Sequence, residues 1–528
     1  MNRIKNPILP GFHPDPSIIR VGEDYYIATS TFEWFPGVEI QHSKDLIHWR
    51  PVAHPLNRTS QLNLYGAMDN FGVWAPCLSS HDGVYYLLFS RVRTMNNLQK
   101  DCHNFLITAT DICGEWSEPV LLKGNFADYS LFHEGDKKWL VFPCDYTDEG
   151  LPDAVICIQE YSPAQQKPVG PVIGIFAGTE LGTTEGPHLY HVGEYYYLIV
   201  AEGGTSLGHA VTVARSRRLE GPYEADPQGP MLTARDAPQL PLQKAGHADL
   251  VQTQTGEWYL THLCGRPHPL KGRCILGRET AIQKVVWSAD GWLRLAQGGH
   301  APAVEVEAPA LAPHPWPQPP ARDDFDQPVL DIRYQTPRVP LGEDTLSLRE
   351  RPGWLRLKGK ESLCSIYQQA LVARRQQAFR YAASTCVEFA PQAPTQAAGL
   401  VCYYNTFAYH YLRVTYRRGL GKCIDVLSCV RQELTAPAEP VCVQGWARCY
   451  LRALMENDRL QFQYSPDGVG WKQIGPALDA GILTDELEHG GMMNFTGAFV
   501  GLCCQDLDGT DRPADFDFFE YQEFGDTL

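Results

Sequence analysis

The chain has 528 residues and a formal charge of −16, with 44% hydrophobic and 20% charged residues. Its length exceeds one ordinary domain, and its composition is that of a globular protein rather than a disordered one. The acidic balance argues against a phosphate-backbone partner, and no apolar run is long enough for a membrane span, so neither nucleic acid nor a membrane is expected.

The first ten residues, MNRIKNPILP, hold no apolar leader segment, so no secretory signal is expected. The 16 cysteines are scattered through strand-like stretches without zinc-site spacing. They read as free thiols in a reducing compartment, and so as a cytoplasmic protein.

A repeat fills the first 300 residues. HPDPSIIRVGEDYYIAT from His13 aligns with WAPCLSSHDGVYYLLF from Trp74, ADYSLFHEGDKKWLVF from Ala127, EGPHLYHVGEYYYLIV from Glu185 and GHADLVQTQTGEWYLTHL from Gly246. Each copy has an aliphatic residue (Ile18, Leu78, Leu131, Leu189, Leu250) and a turn with glycine. An aromatic then opens a second strand (Tyr25, Tyr85, Trp139, Tyr195, Trp258). This is a β-hairpin pattern, and further apolar runs such as VEIQHSKDLIHWRPV bring each repeat to about four strands. Five such units predict a five-bladed β-propeller; a β-sandwich would not explain a constant hairpin at this period.

In a propeller the innermost strands all start near one axis. Three or four residues before the aliphatic column lie Asp15, Trp74 with Ala75, Asp128, Glu185 with Gly186, and His247. A single acid at a strand start is ordinarily a solvated turn residue. Three at convergent positions form a candidate site. Asp15 and Asp128 share one column, and Glu185 stands one residue earlier, an offset that aims it differently.

After residues 1–300, the stretch 301–322 is proline-rich (APAVEVEAPALAPHPWPQPP) and reads as a stiff linker. Residues 323–528 return to strand patterning, as in AGLVCYYN and CYLRALMENDRLQFQYSPDG. They predict a lectin-like β-sandwich, completing an all-β chain.

Glycosidic cleavage needs a proton for the leaving oxygen and a nucleophile at the anomeric carbon, tasks that two carboxyl groups in different environments perform. A third carboxylate raises the pKa of the acid by like-charge repulsion. The motifs NPILPGFHPDPSII, GVWAPCLS, the Asp128 repeat, TTEGPHLY, LGRETAIQKVVW and FTGAFVGLCCQD together resemble glycoside hydrolase family 43, in its β-xylosidase branch. The resemblance spans nearly the whole chain. It departs where Asp128-Tyr129-Ser130 stands in place of the common Asp-Pro-Ser. It implies Asp15 as general base, Glu185 as general acid and Asp128 as the residue that orients Glu185. It also implies an exo-acting, inverting hydrolase that releases xylose from xylobiose and short xylo-oligosaccharides. α-L-Arabinofuranosidase or dual activity is the alternative. A sugar-binding propeller is the non-enzymatic one.

The resemblance also puts Phe32, Trp74, Thr205, His247 and Arg278 in the sugar pocket, with Phe499 or Phe495 reaching it from the second domain. Read alone, the aromatics would be core, and Arg278 an ordinary ion-pair residue. No metal or other cofactor is required. The family allows a water-bridged calcium ion near His247, although the sequence has no dense run of oxygen ligands. A homo-oligomer, dimer or tetramer, is expected.

Overall fold

The computed structural model describes residues 3–94, 101–124, 126–143, 155–268, 272–488 and 494–525. Among them regular structure is β-sheet, apart from one short 3-10 turn at Ala480–Ile482.

Each repeat folds as its own antiparallel sheet. Blade one is Ser17–Val21, Asp24–Thr29, Glu39–Ser43 and Arg50–Ala53, and blade two Gly72–His81, Val84–Val92, Cys102–Ala109 and Val120–Gly124. Blade three is Ser130–Glu134, Lys137–Pro143, Ile156–Ser162 and Lys167–Phe176. Blade four is Glu185–Val192, Tyr195–Glu202, Ala210–Ser216 and Glu224–Ala225, with Leu232–Thr233 added to its third strand. Blade five is Gln243–Gln252, Trp258–Gly265, Arg278–Trp287 and Leu293–Leu295. The first strand of every blade contacts the first strands of its two neighbours, around a closed ring. This is the five-bladed propeller that the repeat predicts.

Among the described residues no strand is shared between the first and last blades. The ring is clasped instead by side chains and by the N-terminal segment. Asp249 Oδ2 accepts from Ser17 Oγ and from the Ile18 N–H, both at 2.8 Å. Asn6 exchanges hydrogen bonds with Ile282, and Leu9 pairs with Thr280. The strand Arg3–Lys5 pairs with Glu305–Glu307. Residues 301–322 are therefore more than a free connector. Their start completes that pairing. Further on, the His314 N–H donates to Asp45 Oδ2 at 2.7 Å, and Arg50 lies 3.8 Å over the Trp316 ring.

The second domain is a two-sheet sandwich. One sheet runs Leu346–Ser347, Leu355–Lys358, Pro513–Glu523, Arg380–Phe389, Cys449–Glu456, Arg459–Ser465 and Lys472–Gln473, with two short side pairings. The other runs Ala370–Arg375, Phe499–Asp506, Gln396–Asn405, Ala408–Arg417, Gly421–Val430 and Glu433–Thr435. Gln396–Asn405 shows how the second sheet serves two cores. Ala398, Leu400, Cys402 and Tyr404 face the sandwich interior. Ala397, Val401 and Tyr403 face the other way, onto Phe12, Phe32 and Trp34 of the propeller. Side chains alternate across a strand, so burial on both faces requires a near-continuous apolar run, and AGLVCYY supplies it.

Two further links tie the domains. Thr336–Pro337 pairs with Trp34–Phe35. Arg375 reaches Phe12 O at 2.6 Å and Glu39 Oε2 at 2.5 Å. Burial pushes Glu39 up, but Arg375 and His13 override it and hold the carboxyl well below its usual range.

Among the described residues fourteen cysteines are free thiols, eleven of them buried. Cys157 is disulfide-bonded, so the expectation of free thiols throughout is corrected at that position.

Candidate active site

The five innermost strands begin with the same distortion. Asp15, Ala75, Asp128, Gly186 and His247, one from each blade and each three residues before the aliphatic column, all have positive φ, between 37° and 69°. Where the strand already extends this far, the ladder slips beside that residue: between Trp74 and Cys77, Glu185 and His188, and Gly246 and Ala248. Such a bulge re-aims side chains at a rim. A left-handed backbone disfavours most L-residues, with Asp and Asn among the better tolerated. Aspartate suits two of the five positions, and glycine stands beside Glu185.

The turn is held between blades. Ser30 Oγ accepts from the Ala75 N–H at 2.7 Å, and Ser90 Oγ accepts from the Asp128 N–H at 3.2 Å. One blade on, Asp128 Oδ2 accepts from the Gly186 N–H at 3.1 Å. Asp128 is thus bonded to the residue that follows Glu185. Glu185 is half-buried and pairs with Ala201 on the next strand.

Asp15 is 6% exposed and held from several sides. Ser30 Oγ donates to its Oδ2 at 2.7 Å, Arg278 Nη1 reaches its Oδ1 at 3.4 Å, and His247 Nδ1 lies 3.8 Å from the same oxygen. The Arg278 guanidinium also donates to Thr205 Oγ1 at 3.0 Å and to Phe495 O at 2.7 Å. A cation and a hydroxyl donor thus enclose one carboxylate. His247 joins the two sides of the site. A Cβ on Gly186 would touch its ring at 3.2 Å, so the imidazole packs on the backbone beside Glu185 while facing Asp15.

An aromatic wall flanks this cluster. Phe32 and Trp74 have ring centroids 5.6 Å apart, and Phe495 lies 5.6 Å from Trp74 and 6.3 Å from Phe32. Phe32 exchanges backbone hydrogen bonds with Val73, which fixes it next to Trp74. Arg278 sits 5.3 Å from the Phe32 ring and 5.4 Å from that of Phe495. Asn70 ties the wall together: it accepts from the Phe495 N–H at 2.8 Å and the Trp74 Nε1–H at 3.0 Å, and donates to Asn494 Oδ1 at 3.1 Å.

The sandwich also reaches the Asp15 side through a largely buried ion cluster. Lys244 Nζ contacts Asp485 Oδ2 at 3.2 Å and Glu486 Oε1 at 2.7 Å. The carbonyl of Lys244 holds His209 Nδ1 at 3.0 Å. Burial and the neighbouring His247 push His209 down to about 3, so its ring is neutral. A Cβ on Gly246 would fall 2.3 Å from that ring, so His209 lies flat beneath the backbone that carries His247.

Asp15, Thr205, His247 and Arg278 come together with Phe32 and Trp74, and Glu185 lies across His247 beside Asp128. Phe499 does not reach the pocket and is corrected: it is 0% exposed and stacked on Trp34 at 3.6 Å, in the contact between domains. Phe495, four residues earlier and half-buried, takes the wall position instead. Sequence reasoning missed Ser30, Asn70, His209 and Lys244. Only Ser30 left a signal, since Ser90 recurs at its place in the second repeat. Around His247 the described neighbours are imidazole, guanidinium and one carboxylate, and no group of three or more metal-binding side chains occurs among the described residues. Calcium takes six to eight oxygens, so these side chains by themselves do not fit it.

Residues 4–293 match the family model described as glycosyl hydrolases family 43, and residues 322–522 that of the β-xylosidase C-terminal concanavalin A-like domain. A β-xylosidase of Bacillus subtilis (strain 168) is 47% identical, with 99% of this chain and 100% of the relative covered. A non-reducing end α-L-arabinofuranosidase of Bacteroides ovatus is 33% identical over 98% of this chain and 94% of its own. Among solved structures, a xylan β-1,4-xylosidase from Bacillus halodurans C-125 superimposes with a TM-score of 0.95 at 51% identity, covering 98% of this chain and all of the other.

Proposed function

Because the chain belongs to glycosyl hydrolase family 43, we propose that it is an exo-acting, inverting β-xylosidase that releases xylose from the non-reducing end of xylobiose and short xylo-oligosaccharides. The observation that carries this reading is the contrast between two carboxylates. Asp15 is buried against Arg278 and Ser30. Glu185 stands half-buried at a strand start, and the N–H of the next residue, Gly186, donates to Asp128. One carboxylate is enclosed by a cation and a hydroxyl, and the other is half-open to solvent.

In this mechanism Asp15 removes a proton from a water molecule that attacks the anomeric carbon. Glu185 gives its proton to the departing glycosidic oxygen. The negative charge of Asp128, close to Glu185, keeps that proton on until it is needed. Inversion requires about 6.5–9.5 Å between acid and base, room for the attacking water. Arg278 holds Asp15 and, with Thr205 and His247, supplies donors to sugar hydroxyls. Phe32, Trp74 and Phe495 supply the apolar wall. No step uses a metal or another cofactor. The relative named as an arabinofuranosidase supports a side activity on α-L-arabinofuranosides.

The test is turnover of nitrophenyl β-xyloside, nitrophenyl α-arabinofuranoside and xylobiose by the parent, Asp15→Ala and Glu185→Ala. Rates near the parent's in either variant would remove that residue's role. Proton NMR of the first-formed sugar should show α-xylose from the β-linked substrate. Net retention would exclude the inverting scheme.

Two further readings belong to the proposal. Fourteen free thiols support a reducing, cytoplasmic setting. The expected dimer or tetramer is checked by light scattering. No described helix is long and apolar enough to cross a membrane.

A further inference from the structure

We propose that Cys364 and Cys429 form a peroxide-reactive dithiol, in which Cys364 is the attacking sulfur and Cys429 resolves it to a disulfide. The site lies in the sandwich, outside the pocket, and the inference does not depend on the glycosidase reading.

Three acidic hydrogens meet there. Cys429, on Gly421–Val430, stands directly opposite Tyr409 on Ala408–Arg417, and both side chains are buried on the face turned to the propeller. Cys364 comes from the loop before Ala370–Arg375 and is exposed at the rim of that face. Its Sγ lies 3.3 Å from Tyr409 Oη and in hydrogen-bonding contact with the Cys429 thiol. Hydrogen bonding with Cys429, and then with Tyr409, pulls Cys364 below the usual thiol range against the opposing effect of burial. The same contact pushes Cys429 up, and burial together with its own bond to Cys364 pushes Tyr409 up, so the shared negative charge settles on the solvent-facing sulfur. Exposure, a thiolate and an adjacent second thiol mark a redox-reactive cysteine.

The chemistry balances with hydrogen peroxide as oxidant. The Cys364 thiolate attacks one peroxide oxygen, an S–O bond forms, the O–O bond breaks, and hydroxide leaves as water after taking a proton. Cys429 then attacks the Cys364 sulfur, an S–S bond forms, and the S–O bond breaks. The second hydroxide leaves as water with the Cys429 proton. Two thiols and one peroxide give one disulfide and two waters, with two electrons passing from sulfur to oxygen.

The other two exposed free thiols, Cys113 and Cys442, are internal comparators. The full chain is alkylated with iodoacetamide at pH 7, before and after brief treatment with equimolar hydrogen peroxide, and its peptides are read by mass spectrometry without reductant. Cys364 should alkylate about ten-fold faster than Cys113 and Cys442, as its larger thiolate fraction dictates. After peroxide, the Cys364 and Cys429 peptides should be joined, and dithiothreitol should release them. In Cys429→Ser, Cys364 should stop at the sulfenic acid and be trapped by dimedone. Equal alkylation of the three exposed thiols, or unlinked Cys364 and Cys429 peptides after peroxide, would overturn the proposal.

Discussion

Asp15 and Glu185 differ in their surroundings, and the difference sets the expected kinetics. A general acid matters most when the leaving group is poor. Glu185→Ala should therefore lower kcat/KM on xylobiose by about 10²–10⁴, and much less on a nitrophenyl xyloside that departs without protonation. Asp15→Ala should depress both substrates alike, because the attacking water is needed in either case. A second acid is informative for stability. Glu33 is 1% exposed, and burial, together with nearby Asp69, raises it to about 8. A carboxyl raised in the folded state binds more protons folded than unfolded between those two values. Its contribution is full below about 4.5, the ordinary value of the group, and is lost as pH rises through about 8. Glu33→Gln should therefore flatten the fall in melting temperature between pH 5 and pH 8, measured by differential scanning fluorimetry. An unchanged slope would show that Glu33 is not the group responsible. At this scale the sequence revealed the three carboxylates because they recur in a repeat. It could not choose between Phe495 and Phe499. Residues 494–498 are irregular, so no period indicates which ring faces the pocket and which meets Trp34.

At the scale of the element, the working unit is the bulged strand start. Five blades place a left-handed residue at one height, and four of those residues are not glycine. The hairpins and their aromatics were legible from period and turn residues, since those are local. The bulge was visible only as the one-residue offset of Glu185, because a slipped register depends on the neighbouring strand. Gly186 tests the device. Alanine there meets a φ of 56° and would press on the His247 ring at 3.2 Å. Gly186→Ala should cost about 1–2 kcal/mol of stability. It should also lower kcat with the fold intact, as read by paired thermal melts and turnover. Full activity would mean that His247 yields without disturbing either carboxylate.

Across the whole molecule, the sandwich is part of the site rather than an appendage. It supplies Phe495, bonds Arg278 through a carbonyl, and holds Lys244 with Asp485 and Glu486. Removing one partner from a buried ion cluster typically costs about 3–5 kcal/mol, because the remaining charge is stranded. Asp485→Ala should therefore lower stability by about that amount and reduce turnover along with it, as measured by chemical denaturation and steady-state kinetics. A stable, inactive variant would place the effect in local chemistry instead. The sequence marked the domain boundary through its prolines, but not these contacts, which join residues more than two hundred positions apart and have no local pattern. The clasp of the propeller has a consequence for biosynthesis. Arg3–Lys5 finds its partner strand only at Glu305–Glu307, and Ser17 finds Asp249 only in the fifth blade. On a ribosome adding about 5–20 residues per second, the first blade would wait roughly 10–45 s with its ring open, and the N-terminal strand roughly 15–60 s for its partner. Each blade is one unbroken stretch of chain, able to form its sheet as it emerges, so that delay leaves only the seam, not the blades, waiting for the fifth blade and the strand after it.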